Sequence, residues 1–305
     1  MSDGMHAVTG AYGFSGSYIA RQLLDRGREV ITLTNKSPAE DPFAGRVAAH
    51  PFNFDDPARL EESLEGVAVL YNTYWMRFNE VVGEHSEAYR NSIKLLEAAR
   101  RAGVKRIVHI SITNPSKDSP IDYFREKAEL EEAIATLGLS YTILRPAVIF
   151  GPGSILINNI AWALRRLPVF GYFGKGDYGI QPVHVEDLAE LAATAGEEDD
   201  NRIIDAVGPE KYLYKDLVKE VAAAIGSHAL ILPAPKLAGY LIGVLIGKCM
   251  GDVLMTRDEL EALTGGLLAV DSPPSGKIRL SEWMRANADG LGREYAKMPK
   301  RHQKK

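Results

Sequence analysis

The feature that most constrains this fold is a glycine-rich turn near the start of the chain. Gly10, Gly13 and Gly16 lie in the run TGAYGFSG, between an apolar stretch and a segment with helical periodicity. The first glycine allows a sharp turn, the second lets backbone N–H groups approach a pyrophosphate, and the third lets helix and strand pack closely. A pyrophosphate bound there would lie at the positive end of the helix dipole.

The spacing of these glycines is one residue longer at the front than the usual dinucleotide fingerprint, which leaves a purely structural turn as the alternative. Their position after a strand and before a helix favours dinucleotide binding. The residues expected to bind the cofactor here are Gly10, Tyr12, Gly13, Phe14, Ser15 and Gly16.

Apolar strands and amphipathic helices alternate through the first half of the chain. The predicted strands are His6–Thr9, Glu29–Thr34, Val67–Tyr71, Arg106–Ile110 and Tyr141–Leu144. The predicted helices are Ser15–Arg26, Arg59–Leu64, Glu84–Ala102 and Tyr123–Leu137. This alternation is typical of βαβ units, whose parallel strands form one sheet with helices on both faces. The sequence therefore predicts an α/β protein with a Rossmann-type, doubly wound parallel sheet.

The alternation becomes irregular after about residue 151, and the length of 305 residues fits two units. We expect residues 1–150 to form an NAD(P)-binding Rossmann domain. Residues 151–305 are expected to form a smaller C-terminal substrate-binding lobe, partly interwoven with the first domain. A hydrophobic fraction of 46% and a charged fraction of 25% are ordinary for a globular protein and exclude a disordered chain.

The charge balance argues against a nucleic-acid partner. The chain has 36 Lys+Arg against 40 Asp+Glu, which gives a net charge of −4 and no bulk attraction to phosphate backbones. Its seven histidines are scattered without ligand spacing, so no metal site is expected. The expected partner is a small-molecule substrate, and a homodimer is left open.

Cysteine usage and hydropathy bear on location. The single cysteine, Cys249, favours a reducing compartment, and the N-terminal run lacks a signal-peptide pattern, so a cytoplasmic protein is predicted. The most apolar stretch is residues 237–247, which is too short to span a bilayer. A buried or interface helix is the first interpretation of this stretch, and peripheral contact with a membrane or a protein is the second.

The choice between NAD and NADP depends on the end of the second predicted strand. NAD-binding proteins usually carry an acidic residue there, which accepts hydrogen bonds from the ribose 2′-OH. This chain has Thr34, Asn35 and Lys36 instead, and no acidic residue before Glu40. These side chains could hydrogen-bond or neutralise a 2′-phosphate. The sequence thus favours NADP, with NAD as the alternative.

Tyr123 and Lys127 pair a phenol with an ammonium group on one predicted helix. Tyr123 and Lys127 are spaced i and i+4, so they share one helix face. A nearby cation lowers the pKa of a phenol, which then serves better as a proton donor and acceptor. The preceding strand ends in Ser111 and Thr113, where the sheet's carboxyl edge would place groups that hold a substrate carbonyl. Tyr123, Lys127, Ser111 and Thr113 are therefore the candidate catalytic residues; an exposed tyrosine beside a surface lysine is the plain alternative.

Taken in order, these motifs resemble the short-chain dehydrogenase/reductase superfamily. The glycine turn and the Tyr–Lys pair are followed by RPAVIFGPG (Arg145–Gly153) and PVHVEDLAEL (Pro182–Leu191). The chain is most similar to the extended and atypical branch, with the NAD-dependent epimerase/dehydratase and NmrA-like proteins. Ser111 lies closer to the tyrosine than in the extended-type pattern.

The resemblance implies roles for further residues. Asn53 and Phe54 would surround the adenine, and Lys127 would hold the nicotinamide ribose as well as lower the pKa of Tyr123. Three groups complete the implied set: Asn72, Thr73 and Tyr74 on the path to the nicotinamide ribose, Pro146 and Val148 near the nicotinamide ring, and Asn158 and Asn159 as substrate contacts. Trp75 either forms an apolar substrate wall or fills the core.

Two functions are compatible with these residues. The first is an NAD(P)-dependent oxidoreductase or epimerase-type enzyme, with hydride transfer at a carbinol or ketone carbon and Tyr123 as general acid/base. The second is a non-catalytic NADP-binding redox sensor or assembly protein. Members of that kind typically lack the Tyr–Lys pair, so its presence favours the enzyme.

Overall fold

The chain divides into two compact units whose segments alternate along the sequence. The computed structural model describes residues 4–76, 81–82, 85–237, 239–240, 243–244, 247, 251–253 and 255–297. The first unit combines Met1–Pro146 with Val185–Ala206, and the second combines Ala147–His184 with Val207–Lys305.

The described strands and helices, in chain order, have the following bounds. The strands are β1 (Met5–Thr9), β2 (Val30–Leu33), β3 (Ala48–His50), β4 (Val67–Asn72), β5 (Val81–Val82), β6 (His85–Ser86), β7 (Arg106–Ile110), β8 (Ser140–Pro146), β9 (Val148–Phe150), β10 (Val169–Phe173), β11 (Gly179–Ile180), β12 (Pro182–His184), β13 (Arg202–Ala206), β14 (Tyr212–Leu213) and β15 (Leu230–Ala234). The helices are α1 (Phe14–Asp25), α2 (Pro57–Glu62), α3 (Glu87–Arg101), α4 (Asp122–Thr136), α5 (Leu156–Arg166), α6 (Val185–Ala195) and α7 (Tyr214–Ala224), followed by Arg257–Thr264 and Leu280–Ala286.

The first unit is built on a parallel sheet, which confirms the predicted fold class. Within the described residues it has seven strands in the order β13-β8-β7-β4-β1-β2-β3. Its central strands β4 (VAVLYN) and β7 (RIVHI) are buried along their whole length, as expected for a sheet covered by helices on both faces. The strand order reverses at β1, which lies between β2 and β4. The crevice at the carboxyl end of such a reversal is where ligands bind in open α/β sheets.

Two strands of this sheet were not predicted. β3 is three residues long and pairs with β2, whereas β13 pairs with β8 over five residues at the opposite edge. The helix bounds also differ by a few residues from those predicted from the sequence. Helix α3 begins at Glu87, after Ser86 accepts a capping hydrogen bond, and Glu84, its predicted start, lies outside the described residues.

The second unit combines short strand pairs with helices around its own core. Strands β9 and β12 are parallel, as are β10 and β15, and β11 pairs antiparallel with β14. Helices α5 and α7 contribute the apolar faces of this core, including Ile157, Leu164, Leu217 and Val221. No helix among the described residues is long and apolar enough to cross a membrane.

Only part of the apolar stretch 237–247 belongs to the described ranges, namely residues 237, 239–240, 243–244 and 247. Leu237 is 71% exposed. Cys249 lies outside the described residues.

Candidate active site

The glycine turn after β1 is closed by short backbone contacts. Gly10 has a φ of +67°, a conformation that favours glycine, and its N–H donates to the carbonyl of Leu33 at 2.8 Å. The N–H of Gly13 donates back to the Gly10 carbonyl at 2.7 Å. A Cβ at Gly16 would lie 2.4 Å from the Gly10 oxygen, so only glycine fits there. The turn therefore has the close helix–strand approach that the sequence predicted.

Helix α1 begins directly after this turn and offers its N-terminus without a side-chain cap. Its N-cap residue is Gly13, which has no side chain to accept a hydrogen bond from the first turn, and no acidic residue lies in that turn. The first N–H groups of a helix have no intrahelical acceptor, and the helix dipole favours an anion beside them. The cradle fits the pyrophosphate of a dinucleotide.

The residues after β2 place a cation beside the glycine turn. Lys36 donates from Nζ to the carbonyl of Tyr12 at 2.9 Å and lies 3.7 Å from a carboxylate oxygen of Glu40. Thr34 is buried, and its hydroxyl accepts from the N–H of Lys36. Asn35 is exposed and accepts from the N–H of Phe52 at 3.2 Å. Residues 34–36 thus lie together, as expected. The ion pair between Lys36 and Glu40 was not predicted, because it depends on the short 3-10 helix at Pro38–Glu40.

The residues expected near the adenine lie in an aromatic cluster. The rings of Phe52 and Phe54 stack with centroids 4.9 Å apart, and the Tyr74 ring lies 5.0 Å from Phe54. Asn53 lies between the two phenylalanines in the sequence and has a φ of +46°, a conformation that asparagine tolerates better than most residues. The structure thus brings Phe54 and Tyr74 together, and adds Phe52 to them.

Hydrogen bonds of Asn72 and Thr73 stabilise the end of β4, and those of Thr73 link it to the end of β1. The hydroxyl of Thr73 donates to the carbonyl of Thr9, and the N–H of Thr73 donates to the Thr9 hydroxyl at 2.7 Å. The side-chain oxygen of Asn72 accepts from the N–H of Tyr74 at 3.0 Å. Its Nδ2 atom is buried and meets no acceptor in the described part of the chain. An unpaired buried amide of this kind is costly unless a further group completes it.

Tyr123 and Lys127 lie in the first two turns of α4. Lys127 is buried, and its Nζ donates to the carbonyl of Ile110, the last residue of β7, at 2.9 Å. Burial lowers the pKa of Lys127 to about 7, a shift that the charge of Glu131 partly opposes. The Tyr123 ring is partly exposed and packs edge-on against the indole of Trp75, with centroids 5.4 Å apart. Near neutral pH this lysine exchanges between its charged and neutral forms.

Ser111 and Thr113 lie after β7, as predicted, but Ser111 is engaged in an ion-pair network. Its hydroxyl donates to the carboxylate of Glu131, which also accepts from the guanidinium of Arg145 at 3.0 Å. Thr113 is fully buried, and its N–H donates to the carbonyl of Pro146 at 3.0 Å. Glu131 was not predicted, although its i+4 spacing from Lys127 on the same helix was a usable signal.

A buried histidine, also missed, lies on the strand that leads to this site. His109 pairs with Asn72 across β4 and β7 and has no solvent exposure. Burial, together with the charge of Lys127, holds the pKa of His109 well below its usual value. This histidine is therefore neutral at physiological pH.

In the second unit, Asn158 and Asn159 both bond the backbone of the C-terminal segment. Asn159 donates to the carbonyl of Ala296 at 3.0 Å and accepts from its N–H at 2.9 Å. Asn158 donates to the carbonyl of Glu294 at 2.9 Å and accepts from the N–H of Gly292 at 3.0 Å. Val148 lies in β9, where it pairs with Pro182. The two amides that the resemblance assigned to substrate thus hold the chain's own backbone.

No group of three or more His, Cys, Asp or Glu residues in the described ranges is arranged to hold a metal ion.

Comparison with known proteins places these features in a family. A sequence profile of the NAD dependent epimerase/dehydratase family matches residues 6–206. A curated relative, subunit 9 of the alpha subcomplex of mitochondrial NADH dehydrogenase [ubiquinone] 1 from Rattus norvegicus, is 25% identical over 280 residues, which span 87% of this chain and 73% of the relative.

Solved structures share the fold. The NADPH-dependent quinone oxidoreductase of Escherichia coli, complexed with NADPH, matches with a TM-score of 0.69 and 23% identity, over 88% of this chain and 92% of that chain. The UDP-glucose 4-epimerase of Thermus thermophilus, complexed with NAD, matches with a TM-score of 0.66 and 21% identity, over 94% and 98% of the two chains.

These neighbours bind NAD or NADPH, in agreement with the cofactor expected from the glycine turn. The resemblance to the extended short-chain dehydrogenases is confirmed. Since the family profile covers well over half of the chain, the protein belongs to the NAD dependent epimerase/dehydratase family, as an NAD(P)-binding Rossmann-fold member.

Proposed function

We propose that the protein is an NAD(P)-dependent oxidoreductase in which Tyr123 exchanges the hydroxyl proton of a small carbonyl or carbinol substrate. The observation that carries this proposal is the pairing of Tyr123 and Lys127 at the start of α4, with the lysine bonded to the end of β7. In an open parallel sheet this edge is where ligands are bound. A structural neighbour that is named a quinone oxidoreductase supports a reductase activity, and one named an epimerase supports transient oxidation of a substrate.

The cofactor would be held by residues of the first unit. The N–H groups after Gly13 would hold the pyrophosphate, and the aromatic cluster around Phe54 would pack against the adenine. Lys36, which lies beside the glycine turn with Thr34 and Asn35, would pair with a 2′-phosphate, and this favours NADP as the cofactor. When bound, the dinucleotide supplies or accepts the hydride.

Lys127 prepares Tyr123 for proton transfer. An ammonium one helical turn from a phenol favours the phenolate, so the phenol gives up and regains its proton more easily. The same ammonium has three N–H donors, of which one is used by the carbonyl of Ile110. A further donor is then available for the nicotinamide ribose.

Ser111 takes a positioning role in this proposal. A serine hydroxyl has a single proton to donate, and that of Ser111 goes to Glu131. Glu131 in turn lies on α4, one turn after Lys127, and is fixed by Arg145. The hydroxyl therefore ties the end of β7 to the helix that carries the acid/base pair, and the proton step belongs to Tyr123.

The test is replacement of Tyr123 by Phe, assayed with NADPH and NADH against quinones, simple ketones and nucleotide-sugars. We expect kcat to fall by roughly 10²- to 10⁴-fold, the usual contribution of a general acid, with the Kd for the cofactor unchanged. The matched control is Tyr141→Phe, a partly buried tyrosine of β8 in the same unit. Wild-type turnover in the Tyr123→Phe variant would refute the proposal.

A second candidate function follows from the curated relative, which is named as a subunit of an NADH dehydrogenase. In this case the protein binds the dinucleotide and supports an assembly without turnover. The absence of activity with every acceptor, together with full in vivo function of the Tyr123→Phe variant, would favour this candidate.

A further inference from the structure

Trp75 contacts both members of the Tyr–Lys pair. It follows β4 by three residues, and Lys127 Nζ lies 4.4 Å from the centroid of its indole ring. The Tyr123 ring meets the same indole at an angle of 63°, with centroids 5.4 Å apart. One side chain from the end of β4 therefore touches the phenol and the ammonium, both of which belong to α4.

The indole matters to Lys127 because the lysine is otherwise poorly compensated. A buried ammonium is costly unless other groups offset the loss of its hydration. In the described part of the chain, the contacts of Nζ are the carbonyl of Ile110 and the face of Trp75. Glu131 attracts the charge, but its oxygens accept from Ser111 and Arg145.

The other titratable groups around Lys127 do not replace the indole. His109, on the adjoining strand β7, is buried and neutral. Tyr123 and Glu131 share helix α4 with the lysine. An aromatic face within about 6 Å of a desolvated cation stabilises its charged form.

We propose that Trp75 is a positioning residue for the acid/base pair: its indole face holds the Lys127 ammonium against the end of β7, and the same indole packs against the ring of Tyr123 and fixes it. This inference rests on the proposed function for its consequence in catalysis, but the contacts themselves and their effect on cofactor binding are measurable without a substrate. The role proposed here for Trp75 differs from both interpretations of the sequence, the apolar substrate wall and the core residue.

The first experiment uses Trp75 as its own reporter. In the full chain carrying Trp162→Phe and Trp283→Phe, Trp75 is the one remaining tryptophan, because the sequence has three. We expect its fluorescence to titrate with a midpoint near pH 7, the pKa of Lys127. The step should vanish when Lys127→Met is added. A flat titration, or a step that persists in the Lys127→Met variant, overturns the contact.

The second experiment measures the Kd for NADP and for NAD between pH 6 and 9 in wild type, Trp75→Phe and Trp75→Leu. NAD is included because it lacks the 2′-phosphate and the titration of that group. Affinity should fall as pH rises through the titration of Lys127. Leucine keeps an apolar neighbour but removes the aromatic face, so its midpoint should move to lower pH by about 0.5 to 1.5 units. Phenylalanine should retain the wild-type midpoint.

A matched control exists in the second unit. Trp162 packs edge-on against Tyr295 at 5.2 Å and lies 5.7 Å from the guanidinium carbon of Arg166, a similar trio of indole, phenol and cation. Trp162→Leu should leave the midpoint unchanged. An unshifted midpoint in Trp75→Leu, or an equal shift in Trp162→Leu, contradicts the positioning role.

The two proposals fail separately. Suppose that the fluorescence and Kd titrations give the expected midpoints while Tyr123→Phe retains wild-type turnover. The proposed function is then wrong, and the role of Trp75 in holding Lys127 is supported. If Tyr123→Phe loses activity while the Trp75→Leu midpoint is unmoved, the reverse holds.

Discussion

Helices α1 and α5 both follow a turn that contains glycines, and both carry residues that were predicted from the sequence to bind a ligand. At the start of α1 no side chain caps the helix, and the glycine turn leaves backbone N–H groups for a ligand. On α5 the amides of Asn158 and Asn159 bond the backbone of residues 292–296, and Arg165 bonds the carbonyls of Ala288 and Leu291.

This difference shows what makes a residue available for binding. Polar side chains are abundant on α5, yet the chain itself occupies them. At the start of α1 no side chain caps the helix, and the first backbone N–H groups lack an intrahelical partner. Donor type and spacing are readable in a sequence, whereas prior occupation by a distant segment is not.

The sharpest test of the comparison is Gly16→Ala. The added Cβ would lie 2.4 Å from the Gly10 oxygen and 2.8 Å from its carbonyl carbon, so the turn must open. Overpacking of about 1–3 kcal/mol predicts a loss of roughly 10- to 100-fold in NADP affinity, measured by calorimetric titration.

The control for this variant is Gly27→Ala, after the other end of α1. Its Cβ would find open space, although its φ of +73° disfavours alanine. It should lower stability by about 1 kcal/mol and leave the Kd for NADP unchanged. Equal losses of affinity in the two variants would break the assignment of the turn to the cofactor.

The corresponding test on α5 is Asn159→Ala. It removes both hydrogen bonds to the backbone of Ala296, so the free energy of unfolding should fall by about 1–3 kcal/mol in a denaturant titration. The NADP affinity should not change. Asn287→Ala, which loses one exposed contact to the carbonyl of Trp283, should cost at most about 0.5 kcal/mol.

A contrary result on α5 is equally informative. If Asn159→Ala leaves stability intact but raises the KM of a substrate, then the amide is a ligand contact and the comparison between the two helices fails.

The smallest expected effect concerns cofactor choice at the end of β2. Lys36→Gln should weaken NADP binding by about 5-fold and leave NAD binding unchanged, since a surface charge pair contributes up to about 1 kcal/mol. Glu40→Gln removes the carboxylate 3.7 Å from Lys36 and should strengthen NADP binding slightly. The measurement is the ratio of the two Kd values, and an unchanged ratio in Lys36→Gln speaks against NADP preference.

The fold was predictable where it depends on residues that are close together in the sequence. Buried runs such as VAVLYN and RIVHI and the amphipathic helices between them predicted the alternating order and the parallel sheet. Strand β3 was missed because AAH is short, small and largely exposed. Strand β13 was missed because RIIDA follows an acidic run and becomes a strand by pairing with β8, which is some 60 residues earlier.

The candidate site divides in the same way. The glycine turn and the Tyr–Lys pair follow from spacing within one turn or one helix. The engagement of Ser111 by Glu131 spans 20 residues, and that of Asn159 by Ala296 spans 137. Such partners are set by tertiary packing, which no local pattern contains. The positions of all the predicted site residues relative to a bound cofactor stay predictions.

The alternation of segments between the two units has a consequence for engineering this protein. The first unit, which we propose binds the cofactor, needs residues 185–206 as well as the first 146, since β13 completes the sheet beside β8. Tyr71 also packs closely against Gly196, where an added Cβ would lie 1.9 Å from the Tyr71 hydroxyl. A fragment ending near residue 150 would expose the edge of β8, and unpaired edges invite aggregation. The first unit therefore cannot be excised by a single cut. A functional transplant has to carry the return segment with it, joined by a designed linker in place of residues 147–184.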